Sequence, residues 1–270
     1  MIPEFKTRDD LFKWLRENKS LMITQKKAAI KFADPLQMHD FEGTTDLYIP
    51  KAGNAAPEDV NVLTAKLAIN TTNLMDSHSD VHIPGLWSKS IKERKDLYLL
   101  KEHRMQFENI IADNIKASAE KMNWKELGYK FDGETEVLIF SASIDKGRNE
   151  YMFDQYAKGR VKQHSVGMQY VKLFLCMNSE SKWDQEEKAN WDKYISQVIN
   201  KAEAEAQGYF WAVTEAKVIE GSAVPLGSNY ATPVISIEPV NSTQSTKGAE
   251  PVNEPLDFGK LALAIKSSTN

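Results

Sequence analysis

A histidine stands beside a serine in VKQHSVGMQY, residues 161–170, and the two together offer the residue types of a general base and a nucleophile. The run reads as a β-strand, and in a strand successive side chains point to opposite faces. His164 and Ser165 are neighbours, so the imidazole faces away from the hydroxyl. A base must come within about 3 Å of the proton it removes. His164 is therefore not the base for Ser165. A nucleophilic Ser165 has to draw its base from another segment.

His103 is the best-placed partner. It follows the apolar run LYLL, where a strand leaves the core and can present a side chain at a site edge. His39 lies in the N-terminal region. A third group must then accept the imidazole N–H and stabilise the imidazolium. Glu215 and Glu220, in TEAKVIEGS, are the candidates. They are five residues apart, so a continuous strand sends them to opposite faces and only one reaches the site. Spacing leaves the choice open.

Two other constellations carry chemistry-bearing residue types. DSHSDVH sets Asp76, His78, Asp80 and His82 two residues apart, a nitrogen and oxygen ligand set if the segment is extended. The competing reading is a polar loop whose short side chains bond their own backbone, and it is the one favoured, with no metal or other cofactor expected. The chain's one cysteine, Cys176, sits in the apolar run YVKLFLCM and reads as a buried thiol. With a single cysteine no disulfide forms within the chain, which fits a reducing compartment.

The elements that must position these residues follow from the pattern of the chain. Its 270 residues are 41% hydrophobic and 27% charged, the balance of a globular protein with a real core. A net charge of −4 argues against nucleic-acid binding. No window has the length and apolarity of a membrane span, and the N-terminus lacks a secretory apolar core. Residues 8–31 carry a helical stripe of Leu11, Trp14, Leu15 and Met22, with Asp9 or Asp10 as cap. AGNAAPED, residues 52–59, reads as a linker.

Beyond it, VLTAKLAINTT predicts a strand, MDSHSDVHIPG a loop, LWSKSIKERK a short helix and DLYLLKEHR a strand. Asp132-Gly133 between YKF and EVLIFSASI predicts a hairpin turn. EYMFDQYAKGR reads as a helix stopped by Gly159, and residues 161–177 as a strand bulged at Gly167. Residues 181–207 read as one long helix ended by Gly208, followed by one or two strands. After Pro239 the composition turns polar and predicts disorder, with a short apolar fragment, LDFGKLALAIK, near the end. Three regions result: a helical extension and linker over 1–59, a main domain over 60–239 and a flexible tail over 240–270. The fold class is α+β, a mostly antiparallel sheet or small β-barrel surrounded by helices.

Four segments in order, DSHSDVHIPGLW, LLKEHR, KGRVKQHSVGMQY and AKVIEGSAVPLGSN, resemble the tailed-bacteriophage prohead proteases. These are capsid-maturation serine peptidases with a fold related to the herpesvirus assemblins. Their pattern runs from Asp-x-x-x-Asp-x-x-x-Pro-Gly, through a strand ending in His, to a strand bearing Ser-hydrophobic-Gly. It closes on Glu-x-Ser-hydrophobic-hydrophobic-x-Pro. The match covers roughly residues 60–239. Carried over by position, His103 matches the catalytic histidine, Ser165 the nucleophile and Glu220 the acidic third member. The resemblance thus selects between the two glutamates. Gly221 departs from it, standing where a branched apolar residue is commoner, and residues 226–229 replace the usual Ala-Asn after the proline.

The resemblance implies a serine endopeptidase of virion morphogenesis, located in the host cytoplasm inside the procapsid. It would cut the scaffold, the scaffold-like extension of the major capsid protein, and itself. The tail after Pro239 would suit self-cleavage. Because assemblins are activated by dimerisation, a homodimer is compatible by analogy. No nucleic acid, membrane or cofactor is implied. The alternative of a different class is a non-enzymatic scaffold or capsid-assembly protein that keeps the protease fold. A metal hydrolase built on DSHSDVH ranks third.

Overall fold

The structure, a computed structural model, describes residues 3–31 and 60–240. The linker expected over 52–59, His39 and the tail from 241 onward lie outside the described residues. The chain begins with helix α1 (Arg8–Ala28). Its cap is Thr7 rather than either aspartate: the Thr7 hydroxyl oxygen accepts the Asp10 backbone N–H at 3.1 Å and its O–H donates to the Asp10 carboxylate at 2.7 Å. Asp9 and Asp10 instead occupy the first turn, where the helix dipole favours them. Phe12 and Leu15 are buried.

Two sheets carry the fold, and no closed barrel forms among the described residues. The first is built around two long strands, β8 (Gln163–Met177) and β9 (Tyr209–Val224), paired antiparallel. Its order is β1 (Ile30–Lys31), β8, β9, β4 (Leu99–Lys101), β5 (Ile110–Ala112), and β3 (Asp80–His82) also pairs with β9. The β3 and β4 pairings with β9 are parallel; the rest are antiparallel. The second sheet runs β10 (Val234–Pro239), β2 (Val62–Thr71), β7 (Glu134–Asp145), β6 (Ile115–Asn123), all antiparallel. The class is α+β with mostly antiparallel sheets. The two sheets share one apolar core in which Leu67, Ile69 and Phe140 meet Val166, Trp211 and Val218.

Helices cover the edges. α2 (Ser88–Glu93) and α3 (Glu150–Ala157) fall where the sequence predicts, and Gly159 leaves α3 at φ 62°. α1 ties to the following elements by charge: Arg16 to Asp184 at 2.5 Å, and Lys19 to Glu187 at 2.6 Å.

Three local expectations are corrected, and one strand forms where none was expected. The loop at 75–85 contains β3, because Asp80–His82 finds a parallel partner in Trp211–Val213. The hairpin exists, but its first arm is β6 rather than YKF; residues 124–133 form the connection, closed at Gly133 with φ 88°. Trp124 is fully buried there against Phe131, which holds the long connection in place. The single long helix is two, α4 (Gln185–Tyr194) and α5 (Lys201–Gln207). The break at 198–200 is stabilised by tertiary bonds: Ile199 N–H donates to the Asn73 carbonyl at 2.7 Å, and the Asn200 side chain bonds both the N–H and the carbonyl of Met75. Finally, β10 carries no strong alternation and is a strand because β2 offers it an edge.

Candidate active site

β8 and β9 set the site by register. Ser165 lies opposite Ser222, and Gly167 opposite Glu220. Opposed residues share a face, so all four project to one side of the sheet. His164 belongs to the other face. There it is fully buried, with Nε2 at 2.9 Å from the Tyr156 hydroxyl and Nδ1 at 3.1 Å from the Thr232 carbonyl. Burial pushes its pKa down to about 4, so it is neutral at neutral pH.

The carboxylate of Glu220 reaches its position through a gap. A Cβ at residue 167 would lie 2.0 Å from Glu220 Oε1. Glycine is thus required opposite Glu220 by space, at a backbone position of ordinary φ. The bulge expected at Gly167 sits immediately after it: Gly167 pairs with Glu220 and Met168 with Val218, so Ile219 is the extra residue on β9. Gly221 points to the opposite face, where a Cβ would come within 2.7 Å of the Phe140 ring. The Phe140 ring therefore fills the space that a side chain at 221 would take.

His103 arrives from β4, which pairs with the Gly221–Ala223 stretch of β9. The strand ends at Lys101, and both Glu102 and His103 adopt left-handed backbone, at φ 54° and 57°. That conformation costs a non-glycine residue about 1–2 kcal/mol. Two hydrogen bonds hold it: Glu102 N–H to the Ala223 carbonyl, and His103 N–H to Ser222 Oγ, each at 3.0 Å. The turn folds the imidazole back onto the sheet. Nδ1 lies 2.7 Å from Glu220 Oε1, with the histidine side chain 8% exposed and the glutamate fully buried.

A carboxylate accepts, so Nδ1 carries the proton and Nε2 is the basic nitrogen. Ser222 Oγ–H donates to the other carboxylate oxygen, Glu220 Oε2, at 2.6 Å. Of the two opposed serines, Ser222 has its proton committed to Glu220. Ser165 instead lines a cleft with Ile69, Met168, His82 and Asn229, and keeps 7% exposure.

The structure therefore brings His103 and Glu220 into direct contact and sets Ser165 on the same face, one strand away. Glu215 does not take part: it lies a third exposed beside Lys89, 3.7 Å away. Ser222 and Gly167 are the site residues that spacing alone did not single out. Their signal was parity, since each lies two residues from a residue already singled out, Ser222 from Glu220 and Gly167 from Ser165, and so shares its face.

DSHSDVH is extended only over Asp80–His82; residues 76–79 form a turn. Asp76 Oδ1 accepts the backbone N–H groups of His78 and Asp80 at 2.8 and 2.9 Å, and Ser79 is left-handed at φ 60°. Asp80 is paired with Lys26 and accepts the Tyr170 O–H at 2.8 Å. His82 has Nδ1 at 3.2 Å from the Asn70 side chain and Nε2 at 3.1 Å from the Tyr170 hydroxyl. No group of three or more side chains among the described residues is arranged to hold a metal ion. Cys176 is buried, and burial pushes its thiol pKa far up.

In comparison with known proteins, the chain matches no family model, no curated protein and no solved structure. No described helix is long and apolar enough to cross a membrane.

Proposed function

We propose that the chain is a serine endopeptidase of the prohead-protease kind, with an assemblin-like fold, that cuts scaffold or capsid-protein extensions during procapsid maturation. The observation that carries the reading is the 2.7 Å contact between His103 Nδ1 and the buried carboxylate of Glu220, on the face that also bears Ser165. A buried carboxylate on one ring nitrogen is what a base needs: it holds the tautomer and stabilises the imidazolium that forms. Ser165 Oγ attacks the peptide carbonyl while His103 Nε2 takes its proton. The same proton passes to the leaving amine, giving an acyl-enzyme that water opens by the reverse sequence. The four ordered sequence segments give the substrate class.

A second reading keeps the fold without the chemistry, as a scaffold or capsid-assembly protein. The low exposure of Ser165 favours it. The test is intact mass of the wild type and of Ser165→Ala, each alone and co-expressed with capsid and scaffold proteins. Discrete cuts by the wild type and none by the variant are expected. Cleavage by both removes Ser165 as nucleophile. Cleavage by neither, with natural substrates present, replaces the protease with the assembly protein.

A further inference from the structure

We propose that Ser222 is a positioning residue for His103 and Glu220, a fourth member of the site whose hydroxyl joins the other two. This rests on the peptidase reading above for its catalytic consequence, but not for its geometry.

Ser222 is fully buried, and its hydroxyl has one acceptor and one donor role, each used within the site. Its O–H donates to Glu220 Oε2 at 2.6 Å, the oxygen that His103 does not take. Its oxygen accepts the backbone N–H of His103 at 3.0 Å. The first bond fixes the rotation of the carboxylate, so that Oε1 faces the ring. The second fixes the left-handed turn, so that the ring faces Oε1. The two atoms of the 2.7 Å contact are thus both referred to one hydroxyl. β-sheet register adds rigidity, because Ser222 is clamped between Ser165 on β8 and Leu100 on β4. Alanine at 222 would leave a buried carboxylate oxygen and a buried amide without this partner, and the strained turn at His103 without one of its restraints. A misplacement of an ångström at such a site costs about a hundredfold in rate.

The experiment uses the full chain and two readouts. The first is the far-downfield proton resonance of His103 Nδ1–H, recorded in a Ser165→Ala background so that no self-cleavage intervenes. The second is steady-state cleavage of a co-purified capsid or scaffold substrate. In Ser222→Ala the resonance should shift upfield or vanish, and kcat should fall about 10- to 100-fold with KM within about twofold. Ser222→Thr, which keeps the hydroxyl, should restore both. If Ser222→Ala does not fold, Ser222→Cys replaces it, with a weaker donor of similar size and the same expected direction. An unchanged resonance with unchanged kcat overturns the proposal. So does a folded Ser222→Thr that behaves like alanine, since volume rather than the hydroxyl would then matter. A wild type that cuts nothing, yet shows a resonance that Ser222→Ala loses and Ser222→Thr keeps, supports the positioning role and removes the peptidase.

Discussion

Two clusters of histidine and carboxylate stand out among the described residues, and they are built to opposite ends. In one, His103 stands on a strained turn with Nδ1 on Glu220, and the carboxylate's remaining oxygen is held by Ser222. In the other, His82 lies within a strand, both of its ring nitrogens within 3.2 Å of neutral partners, Asn70 and Tyr170. Its neighbouring carboxylates are spent elsewhere, Asp80 on Lys26 and Tyr170, Asp76 on backbone N–H groups. The groups in hydrogen-bonding reach of the His82 ring are neutral, with the Asp76 charge acting on it only from a distance. The His103 ring instead bonds a buried carboxylate directly, which favours its cation. The residue types are nearly the same; which atom meets which separates the histidine proposed as the base from the one built into a strand.

The largest expected effect tests that contrast at the first cluster. Glu220→Gln keeps the shape and one acceptor oxygen, but loses the charge that stabilises the imidazolium and the second oxygen that accepts the Ser222 O–H, and should reduce cleavage roughly 10⁴-fold with little change in melting temperature. A loss below about tenfold would remove Glu220 from the mechanism. The second cluster should respond in the other currency. Asp80→Asn takes the carboxylate from Lys26 and from the Tyr170 hydroxyl, and breaking so buried a pair costs about 3 kcal/mol. Urea unfolding should show that loss while cleavage by the folded protein, on the proposed function, stays within about tenfold. A loss under about 1 kcal/mol would show that the cluster is not the strut described.

His164, fully buried on the other face of the sheet, sharpens the comparison through pH. Its pKa in the folded protein, about 4, lies below its ordinary value near 6.5. The unfolded chain therefore binds the proton more readily between these values. Stability is fully present above about pH 6.5 and is lost as pH falls towards 4, by on the order of 3 kcal/mol. Asp76 acts in the opposite sense. Burial, then the nearby charge of Asp80, raises its pKa, so the folded state binds the proton better just above the ordinary carboxylate range. The unfolding free energy of His164→Gln, followed from pH 7 to 4, should show a slope shallower than wild type. Parallel slopes would mean that His164 titrates normally.

The smallest effects separate the two faces of one sheet. Gly167→Ala drives a Cβ into the Glu220 carboxylate, and should lower kcat about tenfold at a cost of about 1 kcal/mol in stability. Gly221→Ala meets Phe140 in the shared core, and should cost about 1–3 kcal/mol with kcat nearly intact. Equal behaviour of the two alanines in both assays would contradict the assignment of faces.

Much of this was legible in local pattern. The alternation of VKQHSVGMQY placed His164 and Ser165 on opposite faces, and the structure finds His164 buried under Tyr156 while Ser165 lines a cleft. Strands β2, β8 and β9 and helices α1, α2 and α3 follow from period, caps and stops, because these are interactions within a few residues. What failed locally failed for tertiary reasons. Residues 198–200 leave the helix because Asn73 and Met75 offer backbone groups more than a hundred residues away in sequence. β3 is a strand because β9 is beside it.

The sequence by itself determined the α+β class, the parity that rules His164 out as the base for Ser165, and the short set of acids and bases worth considering. Residue type and spacing left open which glutamate meets which histidine; the resemblance pointed to Glu220, and the tertiary structure makes the contact. Glu215 and Glu220 are equivalent by composition and spacing; only the pairing of β9 with β8 and β4, and the left-handed turn after Lys101, put Glu220 against His103 and leave Glu215 at the surface beside Lys89. Contacts between residues 117 apart in the chain depend on register and on a turn, and neither is encoded in any short stretch of residues.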